Sequence, residues 1–448
     1  MSTAPETKKS GGIRDLKYMF GGGMSSLRQF GILGALIVII ALFQVLTGGK
    51  TLLPGNLINI VSQYSYILVL AIGMVMVIIA GHIDLSVGSV AAFTGIAVAL
   101  AMQNWNLPWW AAIVFGLVVG AAIGAWQGFW VAVIGVPAFI VTLAGMLIFR
   151  GGNQFFGNAS TVPVPSEFVY IGAGYLPEFG PDTGYNNATL LLGLLIVAVV
   201  IFREVQVRRK QKRMGSDSAP MWVTILKLAI IIVVILYAAT LFAGGRVGTS
   251  FPVSGIILGV LVILYSFVTR TTIVGRHVYA VGGNRIAARL SGVKDRRVDF
   301  FVMMNMSMLA ALAGMIYVAR AQASGPQDGN GWELDAIAAV FIGGAAVSGG
   351  IGTVTGSIIG GLVMAVLNNG LQLLSVGSDR VQIIKGVVLL VAVGIDVWNK
   401  TQGRPSIIGM LMKSRKSDDA EPPRPQDPRT PTPTDGTAGT VQPQDTRP

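Results

Sequence analysis

The most prominent pattern along the chain is a series of long apolar runs separated by short polar stretches. Because an α-helix rises 1.5 Å per residue, about 20 apolar residues cross a hydrocarbon core of about 30 Å. The pattern therefore predicts an all-α polytopic membrane protein with about twelve transmembrane helices. These predicted spans lie near residues 30–47, 57–80, 86–103, 109–134, 137–150, 188–202, 221–243, 252–269, 298–319, 335–348, 354–374 and 381–398.

The composition supports this fold class. Of 448 residues, 52% are hydrophobic and 12% are charged, whereas an average soluble domain has about 25% charged residues. There is no cysteine and there are two histidines, His82 and His277, so we expect no disulfide, no metal site and no catalytic residue.

A nucleotide site is also not expected. The segment Gly48-Gly-Lys-Thr51 is the nearest approach to a phosphate-binding loop, but the required first glycine is replaced by Gln44. A P-loop would also follow a β-strand, whereas this segment joins two predicted spans. We therefore expect that the chain binds no cofactor of its own and is not an enzyme.

The positive charges mark the predicted topology. The formal net charge is +12, and the Lys and Arg residues concentrate in four segments. These segments are the N-terminus, residues 203–213, residues 270–297 and the tail from residue 400. Alternating spans place all four on one side, as expected for cytoplasmic loops, so topology explains the charge better than nucleic-acid binding does. Both termini are then cytoplasmic.

This topology divides the chain into three parts. Residues 1–29 form a cytoplasmic N-terminal segment, residues 30–399 a transmembrane domain and residues 400–448 a cytoplasmic tail. The tail is rich in Pro, Asp, Thr and Gly from about residue 417, which predicts disorder there. The longest external loop, 151–187, contains no Lys or Arg.

One basic loop has the small side chains expected of a surface that contacts a partner protein. Residues 282–293, which we call the docking segment, lie in the cytoplasmic loop 270–297 and are rich in small side chains. Small residues let another protein approach the backbone closely. The candidate contact residues are Gly282, Gly283, Asn284, Ala287, Ala288 and Gly292.

Several polar residues interrupt the apolar runs and are candidates for a translocation pathway. Asp84 and Ser86 lie between the second and third spans, where they either cap a helix or line a pathway. The others are Gln127, Asn368, Asn369 and Gln372. Neutral amides suit uncharged polyhydroxy solutes, but hydrogen bonds between helices also explain amides within a membrane.

Four segments resemble the monosaccharide permeases of ABC importers. They are Gly81-His-Ile-Asp-Leu-Ser-Val-Gly-Ser89, Val136-Pro-Ala-Phe-Ile-Val-Thr-Leu-Ala-Gly-Met-Leu-Ile-Phe-Arg-Gly151, Gly275-Arg-His-Val-Tyr-Ala-Val-Gly-Gly-Asn284 and Glu333-Leu-Asp-Ala-Ile-Ala-Ala339. Within that family, the helix pair at about 188–243 is similar to an insertion into a ten-span permease core. This pair, together with Gly124-Ala-Trp-Gln-Gly-Phe-Trp130, points to the xylose or multiple-monosaccharide branch.

The resemblance implies a permease subunit of the bacterial plasma (inner) membrane that works as a homodimer. It also implies an ATP-binding partner subunit, which hydrolyses ATP with Mg²⁺ and docks on the docking segment. An extracytoplasmic sugar-binding protein would deliver a monosaccharide such as xylose, and membrane lipid would surround the spans. Two alternatives are a branched-chain amino-acid ABC permease and an ion-coupled secondary transporter.

Overall fold

The computed structural model describes residues 24–214, 220–245 and 248–401. The predicted disorder from residue 417 and most of the predicted terminal segments lie outside these residues. Residues up to Asp396 form one compact unit. A second unit begins at Val397, and only the last helical residues up to Thr401 are described within it.

The described chain is almost entirely helical. Its helices are α1 (Met24–Leu46), α2 (Pro54–Ile79), α3 (Val87–Trp105), α4 (Trp109–Phe129, continued by a π-helical turn Trp130–Ile134), α5 (Ala138–Phe156), α6 (Ser166–Ala173), α7 (Asn187–Arg213), α8 (Met221–Ala243), α9 (Val253–Thr271), α10 (Ile273–Gly283), α11 (Arg285–Leu290), α12 (Asp295–Ala321), α13 (Trp332–Ile342), α14 (Val354–Leu373) and α15 (Ser378–Thr401). Two short strands, β1 (Val162–Pro163) and β2 (Ala323–Ser324), pair antiparallel.

The predicted all-α polytopic fold class is confirmed. Nine helices of the described chain are long and apolar enough to cross a membrane. The remaining three predicted spans correspond to α1, α13 and α15. The helix α1 begins at Met24, which places its first residues in the predicted N-terminal segment 1–29.

The predicted span 335–348 is wrong as a continuous helix. The helix α13 has only 11 residues and ends at Ile342, so it rises about 16 Å, half of a hydrocarbon core. Gly343 ends it, and Gly344 has a φ of 88°. A Cβ at Gly343 would collide with the carbonyl oxygen of Gly356 on α14. The left-handed backbone at Gly344, which favours glycine, therefore stops the helix, and Gly343 lets α14 pack closely against its end.

Two segments predicted as loops are helical. Residues 203–213 continue α7 without a break, and the predicted loop 270–297 contains α10 and α11. Short polar helices lack a long apolar run, so hydropathy alone does not reveal them.

The helix α12 lies at the centre of the bundle and packs against α2, α3 and α4. In α2 every residue from Ile67 to Ile79 is buried, as expected for a helix that is apolar on all sides and enclosed by others. By contrast, α7 and α8 pack mainly against each other, with α8 also touching α2. This pair corresponds to the predicted insertion at 188–243.

The helix ends separate into two faces, as alternation of the predicted spans requires. At one face Val162 pairs with Ser324, and Tyr175 forms a bridge with Pro252. At the opposite face the amide of Gly350 donates a 2.8 Å hydrogen bond to the carbonyl of Ile79. We call the second face the docking face because it contains the docking segment; its cytoplasmic location stays a prediction.

Candidate functional site

The docking segment is a compact pair of short helices with its own caps. Asn284 separates α10 from α11 in extended backbone, and its Oδ1 accepts a 2.9 Å hydrogen bond from the amide of Ala287. Likewise Thr272 Oγ1 accepts from the amide of Gly275 at the start of α10. Such caps satisfy amides that a helix end leaves without partners. The local sequence therefore defines both sharp turns.

The structure divides the predicted contact residues into an outer and an inner set. Gly283, Asn284, Ala287 and Gly292 are exposed, whereas Gly282 is half-buried and Ala288 is buried. A Cβ at Gly282 would collide with the carbonyl oxygen of Ile79. Gly282 and Ala288 thus support this surface from beneath, and the other four residues form its open side.

Two apolar residues on the same surface were missed by sequence reasoning. Ile286 is 74% exposed and Leu290 is 85% exposed, one turn apart on α11. Neighbouring exposed aliphatic side chains at i and i+4 are typical of an anchor that a partner protein covers. This spacing within Arg-Ile-Ala-Ala-Arg-Leu was the available signal.

A charged cluster connects α11 to the bundle. The guanidinium of Arg285 donates two hydrogen bonds to the carboxylate of Asp299, at 2.6 and 3.1 Å. His82 Nε2 lies 2.8 Å from the same carboxylate. These bonds raise the pKa of Arg285 above its usual value. The cluster therefore ties together α11, the first turns of α12 and the segment between α2 and α3.

Arg289 makes a second link between the same two helices. Its guanidinium donates a 2.6 Å hydrogen bond to Asp295 in the first turn of α12. Asp295 is also 3.6 Å from Arg285. Both arginines of α11 thus bind carboxylates of α12, and the short helix is held by charge as well as by packing.

Three of the predicted pathway residues form one buried hydrogen-bond chain. Asp84 is fully buried, and its Oδ1 accepts bonds of 2.8 and 2.7 Å from the amide and hydroxyl of Ser86. The Ser86 hydroxyl accepts a 2.8 Å bond from Gln127 Nε2 on α4. Gly145 on α5 leaves room for this amide, because a Cβ there would lie 2.6 Å from Gln127 Nε2.

The buried chain continues to the central helix. The hydroxyl of Ser307 on α12 donates to Gln127 Oε1 at 3.4 Å. Asp299 lies two turns earlier on the same helix. The helix α12 therefore supplies hydrogen-bond partners to both the buried chain and the charged cluster. Within the described residues the second oxygen of Asp84 has no hydrogen-bond partner.

The other three predicted pathway residues lie at the opposite end of the bundle. Asn369 and Asn56 exchange amide bonds of 2.8 and 2.9 Å, which join α14 to the first turn of α2. Asn368 is buried and Gln372 is exposed. A cavity of about 420 Å³ beside this pair is lined by Asn56 and Asn59. The six predicted residues are therefore two separate groups.

The described residues contain no cluster of three His, Asp or Glu side chains that could hold a metal ion. The polar features are instead hydrogen-bonded amides, hydroxyls and ion pairs inside an apolar helical bundle. This arrangement belongs to the class of multi-pass membrane permeases.

Comparison with known proteins gives the family. Residues 56–393 match the family described as branched-chain amino acid transport system / permease component, and the chain belongs to this permease family. It is 40% identical to the xylose transport system permease protein XylH of Haemophilus influenzae over 376 residues, 84% of this chain and 97% of that protein.

Two further relatives cover similar lengths. XylH of Escherichia coli (strain K12) is 37% identical over 394 residues, 87% of this chain and 95% of that protein. The ribose import permease protein RbsC of the same strain is 35% identical over 368 residues, 82% and 92% of the two chains. The predicted resemblance to ABC monosaccharide permeases is confirmed. No solved structure matches the chain.

Proposed function

We propose that the chain is the membrane-spanning permease subunit of an ATP-driven importer for xylose or a closely similar monosaccharide in the bacterial inner membrane. The observation that carries this proposal is the similarity to two xylose permeases along nearly their full length. The buried amides and hydroxyls suit a neutral polyhydroxy solute, because they offer donors and acceptors without charge.

The branched-chain amino-acid alternative rests on the family description. An amino acid brings an ammonium and a carboxylate, which need charged partners along the pathway. Of the six candidate pathway residues, Asp84 is the one carboxylate and its Oδ1 is bonded to Ser86, none is a cation that would pair with a substrate carboxylate, and Gln127, Asn368, Asn369 and Gln372 are neutral amides. The names of the three relatives, which are sugar permeases, also favour a sugar.

Energy for transport comes from an ATP-binding partner that hydrolyses ATP with Mg²⁺, while this chain binds no nucleotide. The partner docks on the open side of the docking segment. Ile286 and Leu290 enter an apolar cleft of the partner, and Gly283, Ala287 and Gly292 allow its backbone to approach. Support comes from the exposure of these side chains and from the tendency of central apolar anchors to dominate interface energy.

Movement of the docking segment reaches the pathway through α12. Arg285 and Arg289 hold α11 to α12, and His82 links the same cluster to the segment that contains Asp84. Because α12 packs against α2, α3 and α4, a shift of α11 moves the core of the bundle. ATP-driven closure of the partner subunits then rocks the two halves of the transporter between outward-open and inward-open states.

Two permease copies enclose the pathway, and a sugar-binding protein meets the face opposite the docking face. That face presents α6 and β1 of the predicted external loop 151–187, together with β2, which follows α12 and pairs with β1. The docking face and both termini are cytoplasmic, as the clustering of Lys and Arg predicts.

The proposal is tested by complementation. A bacterial strain without xylose uptake receives this chain together with its ATP-binding subunit and binding protein, and labelled xylose uptake is measured. We expect uptake only when all three are present, and unlabelled xylose should compete better than leucine. Uptake without the ATP-binding subunit would instead indicate a secondary transporter, and preference for leucine would indicate the amino-acid alternative.

A further inference from the structure

A cavity of about 410 Å³ opens between α10 and α12, close to the docking segment. Its floor is apolar and includes Val278, Val298 and Phe301. Neither the buried polar chain nor the exposed anchors Ile286 and Leu290 take part in its lining. The cavity shares Gly292 with the open side of the docking segment, and its other lining residues take no part in the proposed docking or translocation steps.

The rim of this cavity is basic, with His277, Lys294 and Arg297. A second opening of about 440 Å³ shares Lys294 and Arg297 and adds Arg289 and Arg296. Lys294, Arg296 and Arg297 form no salt bridge with any described acidic residue. The rim thus offers uncompensated positive charge.

The nearest carboxylate does not cancel this charge. Asp295 lines the second opening, but it accepts a 2.6 Å hydrogen bond from Arg289 and lies 3.6 Å from Arg285. Its negative charge is already paired with two arginines. An anion at the rim therefore meets a net attraction.

The position of the cavity relative to the spans indicates which anion fits. The helix α9 ends at Thr271, and one residue later α10 begins with Ile273, which is 61% exposed. The predicted span that follows starts at residue 298, which places the cavity at the predicted boundary between the hydrocarbon core and the headgroups. Short amphipathic helices at this level place their apolar side chains against acyl chains.

We propose that this cavity binds an anionic phospholipid from the leaflet at the docking face. The lipid phosphate lies at the rim between Lys294 and Arg297, and the first methylenes of an acyl chain cover the accessible side chains of Val274 and Phe301. Basic pockets between helices are suited to anionic headgroups. A soluble phosphate would leave the apolar floor in contact with water, and a zwitterionic lipid would bring no net charge to the rim. Sugar identity does not enter this inference.

The test uses the full-length chain in phosphatidylcholine nanodiscs with increasing fractions of phosphatidylglycerol. Native mass spectrometry counts the phosphatidylglycerol molecules that stay bound. We expect one saturable site, with affinity lowered at least about tenfold in a variant carrying Lys294→Gln and Arg297→Gln, since each cation near an anionic lipid contributes roughly fivefold. The matched control, Arg209→Gln with Lys210→Gln on the exposed end of α7, removes the same charge outside the cavity and should retain the site.

A second variant keeps the positive charge of the rim and fills the apolar part of the cavity. Val274 lines the cavity and is 40% exposed, so Val274→Trp fills the opening without disturbing the core. It should also abolish the saturable site. Equal losses in the control and the cavity variants would overturn the proposal in favour of diffuse attraction to the leaflet.

Two further measurements distinguish a bound lipid from a soluble phosphate and from the ATP-binding subunit as the occupant of the cavity. Glycerol phosphate in excess should not displace phosphatidylglycerol, and displacement would assign the rim to a soluble phosphate instead. Saturation with the ATP-binding subunit should leave the lipid bound. Complete loss of lipid on assembly would show that the partner protein covers this cavity, which would also overturn the proposal.

Discussion

The guanidinium of Arg285 and the carboxylate of Asp299 form a bidentate ion pair, with N–O distances of 2.6 and 3.1 Å. Arg285 belongs to the exposed helix α11, and Asp299 belongs to the central helix α12. Together with the 2.6 Å hydrogen bond from Arg289 to Asp295, this pair connects the proposed docking surface to the buried bundle. The proposed function uses this pair as the route by which movement of the docking segment reaches the pathway.

Replacement of Asp299 by Asn should uncouple ATP hydrolysis from uptake. Loss of the carboxylate leaves Arg285 without its ionic partner and lowers the unfolding free energy by about 1–3 kcal/mol. This is less than the roughly 3–5 kcal/mol of a fully buried pair, because Arg285 is 36% exposed. The measurement is the number of sugar molecules transported per ATP hydrolysed in proteoliposomes.

The control for this variant is Arg276→Gln, which removes an exposed cation whose guanidinium donates to the carbonyl of Thr271. It should transport like the original chain. An unchanged transport ratio in Asp299→Asn, with both activities intact, would show that α11 does not act through this ion pair.

Replacement of Ile286 and Leu290 by Ser should weaken assembly with the ATP-binding subunit. Both side chains are largely exposed in the isolated chain, so their loss does not disturb its fold. Two lost apolar anchors at an interface cost on the order of 2–4 kcal/mol, which lowers affinity at least about thirtyfold. Surface plasmon resonance on the purified subunits measures this change. Exposed Val233 and Val234 on α8 give a matched control, and equal binding by both variants would exclude α11 as the anchor.

Replacement of two adjacent glycines by alanine should affect stability differently. A Cβ at Gly282 meets the backbone of Ile79, whereas nothing lies within 4 Å of a Cβ at Gly283. Gly282→Ala should therefore destabilise the chain by about 1–3 kcal/mol through overpacking, and Gly283→Ala should be neutral. Thermal unfolding in detergent compares the two variants directly. Similar midpoints would contradict the close contact between α10 and the end of α2.

The buried hydrogen-bond chain is tested through Gly145. An alanine there crowds the Gln127 amide, so it should displace the bond to Ser86 and destabilise the fold by about 1–3 kcal/mol. Gly151→Ala on the same helix meets nothing within 4 Å and serves as the control. Unfolding midpoints and uptake rates should both fall in Gly145→Ala only. An unchanged unfolding midpoint and uptake rate in Gly145→Ala would mean that the Gln127 side chain moves to accommodate the added methyl group.

Hydropathy was sufficient to predict the fold class, because long apolar runs have few alternatives to membrane helices. It failed at Gly343 and Gly344, where the chain stays largely apolar but the left-handed backbone of Gly344 ends the helix. It also failed for α10 and α11, whose helical turns depend on caps from Thr272 and Asn284.

The candidate site was predictable in part. Asp84, Ser86 and Gln127 were recognised as polar residues in an apolar context, but their mutual contact depends on how α3 and α4 pack. Likewise, His82 and Asp299 are 217 residues apart, and no local pattern links positions so distant. The exposure of Ile286 was not predicted, because the small and charged residues around it indicate a polar surface.

The most direct test of the central claim is sugar uptake by purified components. Proteoliposomes containing this chain and its ATP-binding subunit receive the binding protein and labelled xylose outside, with ATP and Mg²⁺ in the compartment of the docking face. We predict accumulation against a gradient that stops when ATP is omitted or the ATP-binding subunit is catalytically inactive. Accumulation that continues without ATP hydrolysis would contradict the account.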